Sequence, residues 1–295
     1  MTDTPLDAEP VSLSVVVAAH DAAATIGAQL EALLAGSPMQ SYEIVVVDNG
    51  STDATAAVLG DFAARSERVR VVQATDGRGP AYARNEGARV ARGRALAFCD
   101  ADDVVGVGWV DAMGRALAEH AFVCGPVELD LLNPAWLAGS RGSTGTSAVA
   151  VFEGAFPFAS SCNLGIDRAR FLAVGGFDEQ LVVGEDIDLS MRLHLLGIAL
   201  HFAGDAVVHY RYRPTMGSTF DRAIAYGAAR PVIAERWRGR GGVPVPRWRG
   251  ARNWLWLVRH LGLLRSRPGA ARWLWVAGQR LGALRGSWRV RRLYL

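Results

Sequence analysis

The feature that most narrows the fold is a rhythm in the first hundred residues, where short β-rich runs alternate with stretches of helical period. "LSVVVAA" (13–19) reads as a buried strand and "ATIGAQLEALLAG" (24–36) as a helix closed by Gly36. "YEIVVVDNG" (42–50) is a second strand. It runs into "STDATAAVLGDFAARS", where Ser51, Thr52 and Asp53 are N-cap candidates. "RVRVVQA" (68–74) is a third strand, "RGPAYARNEGARVARG" (78–93) a helix with a proline near its start, and "ALAFCD" (95–100) a fourth strand. Strands separated by helices of this length imply parallel βαβ units. The expected fold class is therefore α/β, a doubly wound, mostly parallel sheet flanked by helices.

Ligands of such sheets collect at the carboxyl ends of the strands. His20-Asp21, Asp48-Asn49 and Asp100–Asp103 all fall at those ends. In "RALAFCDADDVV" (94–105) an apolar run drives straight into Asp100, Asp102 and Asp103. Like charges held together favour protonation unless a cation compensates. Such a cluster is either a solvated loop or a divalent-metal site, with hard oxygen ligands suited to Mg²⁺ or Mn²⁺. A second cluster, Glu185, Asp186 and Asp188 in "GFDEQLVVGEDIDLSMRLHLLG" (176–197), precedes a helical run, where the helix dipole alone would favour acids. "IALHFAGDAVVHYRYR" (198–213) reads as a strand pair ending at His209. "GSRGSTGTSAVA" (139–150) reads as a flexible loop, a lid or a linker.

Charge divides the chain. Residues 1–210 hold 13 arginines against 27 acids, whereas residues 211–295 hold 19 arginines and only Asp221 and Glu235; there is no lysine anywhere. That asymmetry predicts two jobs, one per part. The tail contains a near-repeat, "WLWLVRHLGLLR" (254–265) and "WLWVAGQRLGALR" (273–285). Both helices are too short to cross a bilayer and too apolar to stand alone in water. They fit a hairpin in a membrane interface, with Trp and Leu at the headgroup boundary and Arg on anionic lipid. The alternatives are packing on the rest of the chain or a homodimer interface. The Trp and Leu content argues against nucleic acid as a partner. Cys99, Cys124 and Cys162 stand at no ligand spacing, which fits a reducing compartment. The N-terminus lacks a secretory pattern and no window reaches the roughly 20 apolar residues of a membrane span. The expected location is cytoplasmic, against the inner face of the cell membrane.

Five stretches, taken in order, resemble the family 2 glycosyltransferases of the GT-A fold: "VSLSVVVAAHDAAATIGAQLEALL", "YEIVVVDNGSTDAT", "GPAYARNEGARVARGRALAFCDADD", "CNLGIDRARFLAVGGFDE" and "GEDIDLSMRLHLLG". The resemblance covers roughly residues 11–212. It implies a tail at 1–10, a GT-A domain at 11–213 (a nucleotide-binding half 11–125, an acceptor-binding half 126–213) and a helical region at 214–295 for a membrane surface or for oligomerisation. It further implies transfer of one hexose from a nucleotide-sugar donor, with inversion, and the basic, Trp-rich tail adds the expectation of a lipid-linked or cell-surface glycan acceptor.

Carried over residue by residue, the family's DxD motif falls on Asp100-Ala101-Asp102. Asp102 is then the Mn²⁺ or Mg²⁺ ligand, and Asp100 faces the ribose or assists the metal. His209 resembles a further ligand of some members, or it caps a strand. Ala19, His20 and Asp21 would bind base and ribose, and Asp48 would accept from the base. Arg84 and Asn85 would face the nucleotide pocket, with an ordinary ion pair the alternative for Arg84. Asn163 is the candidate to touch the donor sugar. Asp186 is the candidate general base, Glu185 its nearest competitor, and Asp188 supports the helix start. Where the family often has Tyr or Asn after its first strand, this chain has His20 and Asp21, which leaves the base and the nucleotide open.

Two other classes fit parts of the pattern. "DADDV" also matches the motif of haloacid-dehalogenase-like phosphatases, but those carry it on the first strand and need a later basic residue, commonly Lys. A transferase fold that binds nucleotide without catalysing would be expected to lose the DxD or ED motif, and both are intact here.

Overall fold

Residues 13–19 and 42–48 are buried almost throughout, and in the computed structural model they form adjacent interior strands of the main sheet. The structure describes residues 11–36, 38–141, 148–153, 156–240 and 250–294. The tail 1–10 and the centre of the glycine- and serine-rich loop, 142–147, lie outside them.

The first half alternates as its sequence dictates. Strand β1 (Leu13–Ala19) is followed by α1 (Ile26–Leu34), β2 (Tyr42–Asp48), α2 (Thr55–Arg65), β3 (Val69–Gln73), α3 (Pro80–Val90) and β4 (Ala95–Asp100). The β-branched runs favour extended backbone and pack on both faces, as parallel strands covered by helices must. Helix α3 starts at Pro80, whose missing N–H costs nothing in the first turn. Asp53 Oδ1 accepts from the Thr55 backbone N–H (2.9 Å) and so fastens the start of α2.

Short elements follow: β5 (Val104–Val105), α4 (Trp109–Glu119), β6 (Phe122–Cys124), β7 (Val127–Glu128), α5 (Ala135–Ala138), β8 (Ala150–Phe152), β9 (Phe156–Phe158) and β10 (Leu164–Asp167). Then come α6 (Arg168–Ala173), α7 (Glu185–Leu195), β11 (His201–Phe202), β12 (Val208–His209), α8 (Met216–Arg236), α9 (Ala251–Arg259) and α10 (Arg267–Arg289).

The main sheet runs β11-β6-β10-β4-β1-β2-β3. Only β10 is antiparallel to its neighbours, β4 and β6. Because Ala19 pairs with Asp48 and Ala18 with Asp100, the carboxyl ends of β1, β2 and β4 finish level. One edge therefore presents the polar residues of three strands. The expected strand pair at 198–213 does not form. Strand β11 joins the main sheet beside β6, while β12 lies between β5 and β7 in a separate three-stranded sheet.

The C-terminal helices pack on the domain rather than standing off as a free hairpin. Ile233 and Trp237, at the end of α8, share a hydrophobic cluster with Phe152, Phe156 and Met191. Helix α10 lies along α8 through small residues. A Cβ at Gly227 would strike the Gln279 backbone, and one at Gly282 or Gly286 the Ile224 or Ala228 carbonyl. Close approach of this kind needs glycine on the contact line. Helix α9 buries only Leu257 and leaves Leu255 and Val258 exposed. No helix among the described residues is long and apolar enough to cross a membrane.

Candidate active site

The level strand ends open on a cleft of about 670 Å³, lined by Ala19, His20 and Asp21 from β1 and by Asn49, Gly79 and Ala83 opposite, among others. The His20 ring Nδ1 lies 2.9 Å from the Asn49 carbonyl oxygen. Asp21 has φ +47 and accepts from the Thr52 backbone N–H at 2.7 Å. That bond, outweighing the effect of desolvation, holds its carboxyl below the usual range.

Asp48, expected to meet the base, lies under the cleft floor instead. It is almost fully buried and accepts from the Ser51 N–H (3.0 Å) and the Gln73 amide (3.2 Å). The residue at that strand end that lines the cleft is Asn49. Its side-chain amide donates to the Ala74 and Gly77 carbonyls (2.5 and 2.9 Å), and its Oδ1 accepts from the Gly79 N–H (2.9 Å), shaping the loop opposite β1. The Asp-Asn dipeptide marks the strand end in the sequence, but not which of the two faces outward.

Asp100, Asp102 and Asp103 bring carboxylate oxygens within 4.8 Å of one another, the one such group of potential metal ligands among the described residues. Ala101 between them is buried. Desolvation by burial, and then Asp100, raise the pKa of Asp102. Burial, with Asp100 and Asp102 adding to it, raises Asp103 well above the usual carboxylate range. Asp103 Oδ1 accepts from the Arg211 N–H at 2.8 Å, while its buried Oδ2 has no hydrogen-bond partner. An orphaned oxygen among crowded carboxylates fits a hard divalent cation, for which oxygen is the preferred donor. In the sequence Asp103 belongs to the acidic cluster read as a possible metal site, although the DxD resemblance carries only Asp100 and Asp102 over as ligands. His209 stands outside the group, its Nδ1 2.6 Å from Glu128 Oε2 across the β7–β12 pair.

Arg84 connects the two acidic clusters. It is only 4% exposed, and it donates to Asp100 Oδ1 at 2.5 Å and to Glu185 Oε1 at 3.2 Å. Burial disfavours the guanidinium cation, but the Asp100 and Glu185 carboxylates outweigh that and raise its pKa. The ion-pair reading of Arg84 is the one the structure realises. Its neighbour Asn85 faces away from the cleft. The Asn85 amide donates to the Phe177 carbonyl (2.9 Å) and Glu179 (2.8 Å), and its Oδ1 accepts from the Phe177 N–H, so it fastens α3 to the segment before α7.

Gly184 has φ +90, and a Cβ there would strike Ile233, so glycine alone turns the chain into α7. The turn delivers Glu185 and Asp186 beside Ser161, whose backbone N–H donates to Asp186 at 3.4 Å. Burial, then the adjacent Glu185, push the Asp186 carboxyl up to about 7. Asp188 is fully buried and accepts from Arg192 (2.9 Å), Arg236 (2.9 Å) and the Trp237 indole N–H (3.1 Å), tying α7 to the end of α8.

Asn163 is corrected by its partners. It is 1% exposed. Its Oδ1 accepts from the Trp109 indole N–H (2.9 Å), and its amide donates to the Pro126 and Ala206 carbonyls (2.9 and 2.7 Å). With both ends of the carboxamide occupied in the core, it is a packing hub, not a sugar contact.

Residues 14–147 match the family model described as "Glycosyl transferase family 2". Over that stretch the chain is similar to the family 2 glycosyltransferases. Succinoglycan biosynthesis protein ExoU of Rhizobium meliloti is 28% identical over 256 residues, 77% of this chain and 71% of its own. Glycosyltransferase AglE of Haloferax volcanii is 26% identical over 68% of this chain and 67% of its own. The chain spans 25% to 67% of the length of the first curated relatives it matches. In fold it is similar to mannosyltransferase PcManGT from Pyrobaculum calidifontis, solved with GDP-Man and Mn²⁺, with a TM-score of 0.64 and 18% identity. That likeness covers 97% of this chain and 91% of PcManGT. The architecture is thus that of the GT-A fold, a mostly parallel sheet with helices and a C-terminal helical region.

Proposed function

We propose that this chain is a family 2 glycosyltransferase that moves one hexose, with inversion, from a nucleoside-diphosphate sugar to a hydroxyl of a glycan or lipid-linked acceptor. The observation that carries this reading is the Arg84 bridge from Asp100 to Glu185, which couples the acidic strand end to the acidic helix start. Asp100, Asp102 and Asp103 are the residues that would hold Mn²⁺ or Mg²⁺, the cation that offsets charge developing on a leaving diphosphate. The likeness to PcManGT, solved with GDP-Man and Mn²⁺, supports a metal and a nucleotide-sugar donor.

The chain's own groups supply the remainder. The cleft between His20, Asp21 and Asn49 receives the nucleotide. Asp186 takes the proton of the acceptor hydroxyl as that oxygen attacks the anomeric carbon from the face opposite the leaving group. A pKa near 7 suits a base that must be ionised yet basic at neutral pH. Arg84 fixes Glu185 next to it and holds Asp100 in place. The work is located at a cytoplasmic membrane surface in the synthesis of a glycolipid or cell-surface glycan. Exposed Leu255, Val258, Leu261 and Leu264, interspersed with arginine, support this location.

The test is thermal stability with a panel of nucleoside diphosphates, each with and without Mn²⁺. A ligand at about 100 times its dissociation constant stabilises by roughly 2.7 kcal/mol. One nucleotide should raise the melting point in a metal-dependent way. No shift with any nucleotide would sink the donor site.

A further inference from the structure

A second concavity, of about 430 Å³, lies on the far side of the segment that leads into Gly184. Leu181, Val182 and Val183 form one wall, and Ile224, Ala225, Ala228, Ala229 and Val232 of α8 form its floor. Residues spaced by three and four on a helix share one face, so the floor is a continuous apolar strip. Arg285 and Arg289 of α10, one helical turn apart, form the other wall. The same face of α10 carries Leu281, Leu284 and Trp288, the last 87% exposed, and Val182 opposite is 82% exposed. Apolar side chains this open to water are characteristic of an interaction surface.

The groove has a direction. Helices α8 and α10 run alongside in the same sense, because Gly278 meets Phe220 and Ala223 while Gly286 meets Ala228 and Pro231. Arg285 and Arg289 therefore stand at the Ala228–Val232 end, and the acid that lines the groove, Asp221, at the other. Gly184, next to Glu185 and Asp186, packs on Ala229 and Ile233, also at the arginine end. From residue 236 onward the chain has 15 arginines and no acid.

We infer that this groove binds the hydrocarbon chain of a lipid-linked acceptor, with the phosphate of that acceptor held by Arg285 and Arg289. An apolar trough closed at one end by paired guanidinium groups complements a single chain that ends in phosphate, and arginine matches phosphate geometry through its paired donors. The Asp221 carboxylate repels the phosphate from the opposite end and so sets one orientation, with the headgroup toward the turn into α7. The inference rests on the transferase reading and names its acceptor class.

Farnesyl phosphate is the probe, with farnesol and inorganic phosphate as controls, titrated calorimetrically into the full chain. The variants are Arg285→Gln/Arg289→Gln, which removes the charge, and Ala225→Trp, which fills the floor. Both sites are solvent-accessible, so the fold should survive. Farnesyl phosphate should bind the unsubstituted protein and bind each variant roughly tenfold or more weakly, a loss of about 1.4 kcal/mol. Farnesol should bind more weakly than its phosphate, and inorganic phosphate should not compete. Equal binding to all three proteins, or full competition by inorganic phosphate, overturns the groove. So does weaker binding of the variants to anionic vesicles with farnesyl phosphate binding unchanged, since the arginines would then serve the membrane alone. The metal-dependent nucleotide shift is read in parallel. Its absence with groove binding intact overturns the donor site alone, and the reverse overturns the groove alone.

Discussion

The Arg84 guanidinium lies 2.5 Å from Asp100 Oδ1, buried at the end of β4, and the same group reaches Glu185 on α7. A single cation thereby sets the spacing between a strand-end carboxylate and a helix-start carboxylate 85 residues further along the chain. Removing it leaves buried charge uncompensated, which costs about 3–5 kcal/mol. Arg84→Met should therefore lower stability by an amount in that range in urea unfolding and abolish transfer activity. Arg84→Lys keeps the charge but loses the two-pronged geometry. It should recover part of the stability and little of the activity. Full activity in Arg84→Lys would show that the bridge does not position the site.

Asp102 gives a prediction with opposite signs in two buffers. Desolvation, and then the neighbouring Asp100 carboxylate, raise its pKa, so in the absence of metal its charge opposes folding. Asp102→Asn should leave the metal-free protein as stable or slightly more so, by at most about 1 kcal/mol for a carboxylate that reaches solvent. With Mn²⁺ and the preferred nucleoside diphosphate, the same variant should lose the stabilisation. Melting curves in EDTA and in Mn²⁺ read both signs. A variant that is destabilised in EDTA would mean that Asp102 serves the fold instead.

Much of this was legible in the sequence, for identifiable reasons. Strands β1, β2 and β4 are buried on both faces, so they appear as largely apolar runs, and the acids that follow β4 are conspicuous at the end of one. The three-stranded sheet was not legible, because two-residue strands such as β12 carry no periodicity. Nor was the fate of Asp48, Asn85 and Asn163. Whether a short polar side chain faces a cleft or the core depends on partners such as Gln73, Phe177 and Ala206, which only the folded chain brings near. The union of α8 with α10 was hidden for a different reason. Its contact line is glycine, which leaves no apolar stripe, while the visible Trp and Leu lie largely beside it.

The α7 anchor separates stability from chemistry. Asp188 is fully buried with three donors around it and no opening to the cleft. Asp188→Ala should cost about 3–5 kcal/mol by leaving Arg192 and Arg236 without their shared partner. At a temperature where the variant is still folded, nucleotide affinity should be nearly unchanged. A large loss of affinity in folded protein would place Asp188 in the site itself.

Asp186 predicts the pH dependence, and the sign follows from its raised pKa of about 7. A base works ionised, so kcat/KM should climb with pH and level off above an apparent pKa near 7, not near the usual 4 of a carboxyl. Because the adjacent Glu185 contributes to the rise, the value belongs to the pair, and Glu185→Gln should move the limb to lower pH. Asp186→Asn should abolish the limb together with the activity. Folding reads the same group with the opposite trend. The native state holds this proton more tightly than the unfolded chain, so the stability it contributes is complete below about pH 4 and is lost as pH rises through about 7. Asp186→Asn should remove that loss, flattening the stability profile between those limits. A profile unchanged by the substitution, with a rate limb still near 4, would assign the proton to another residue.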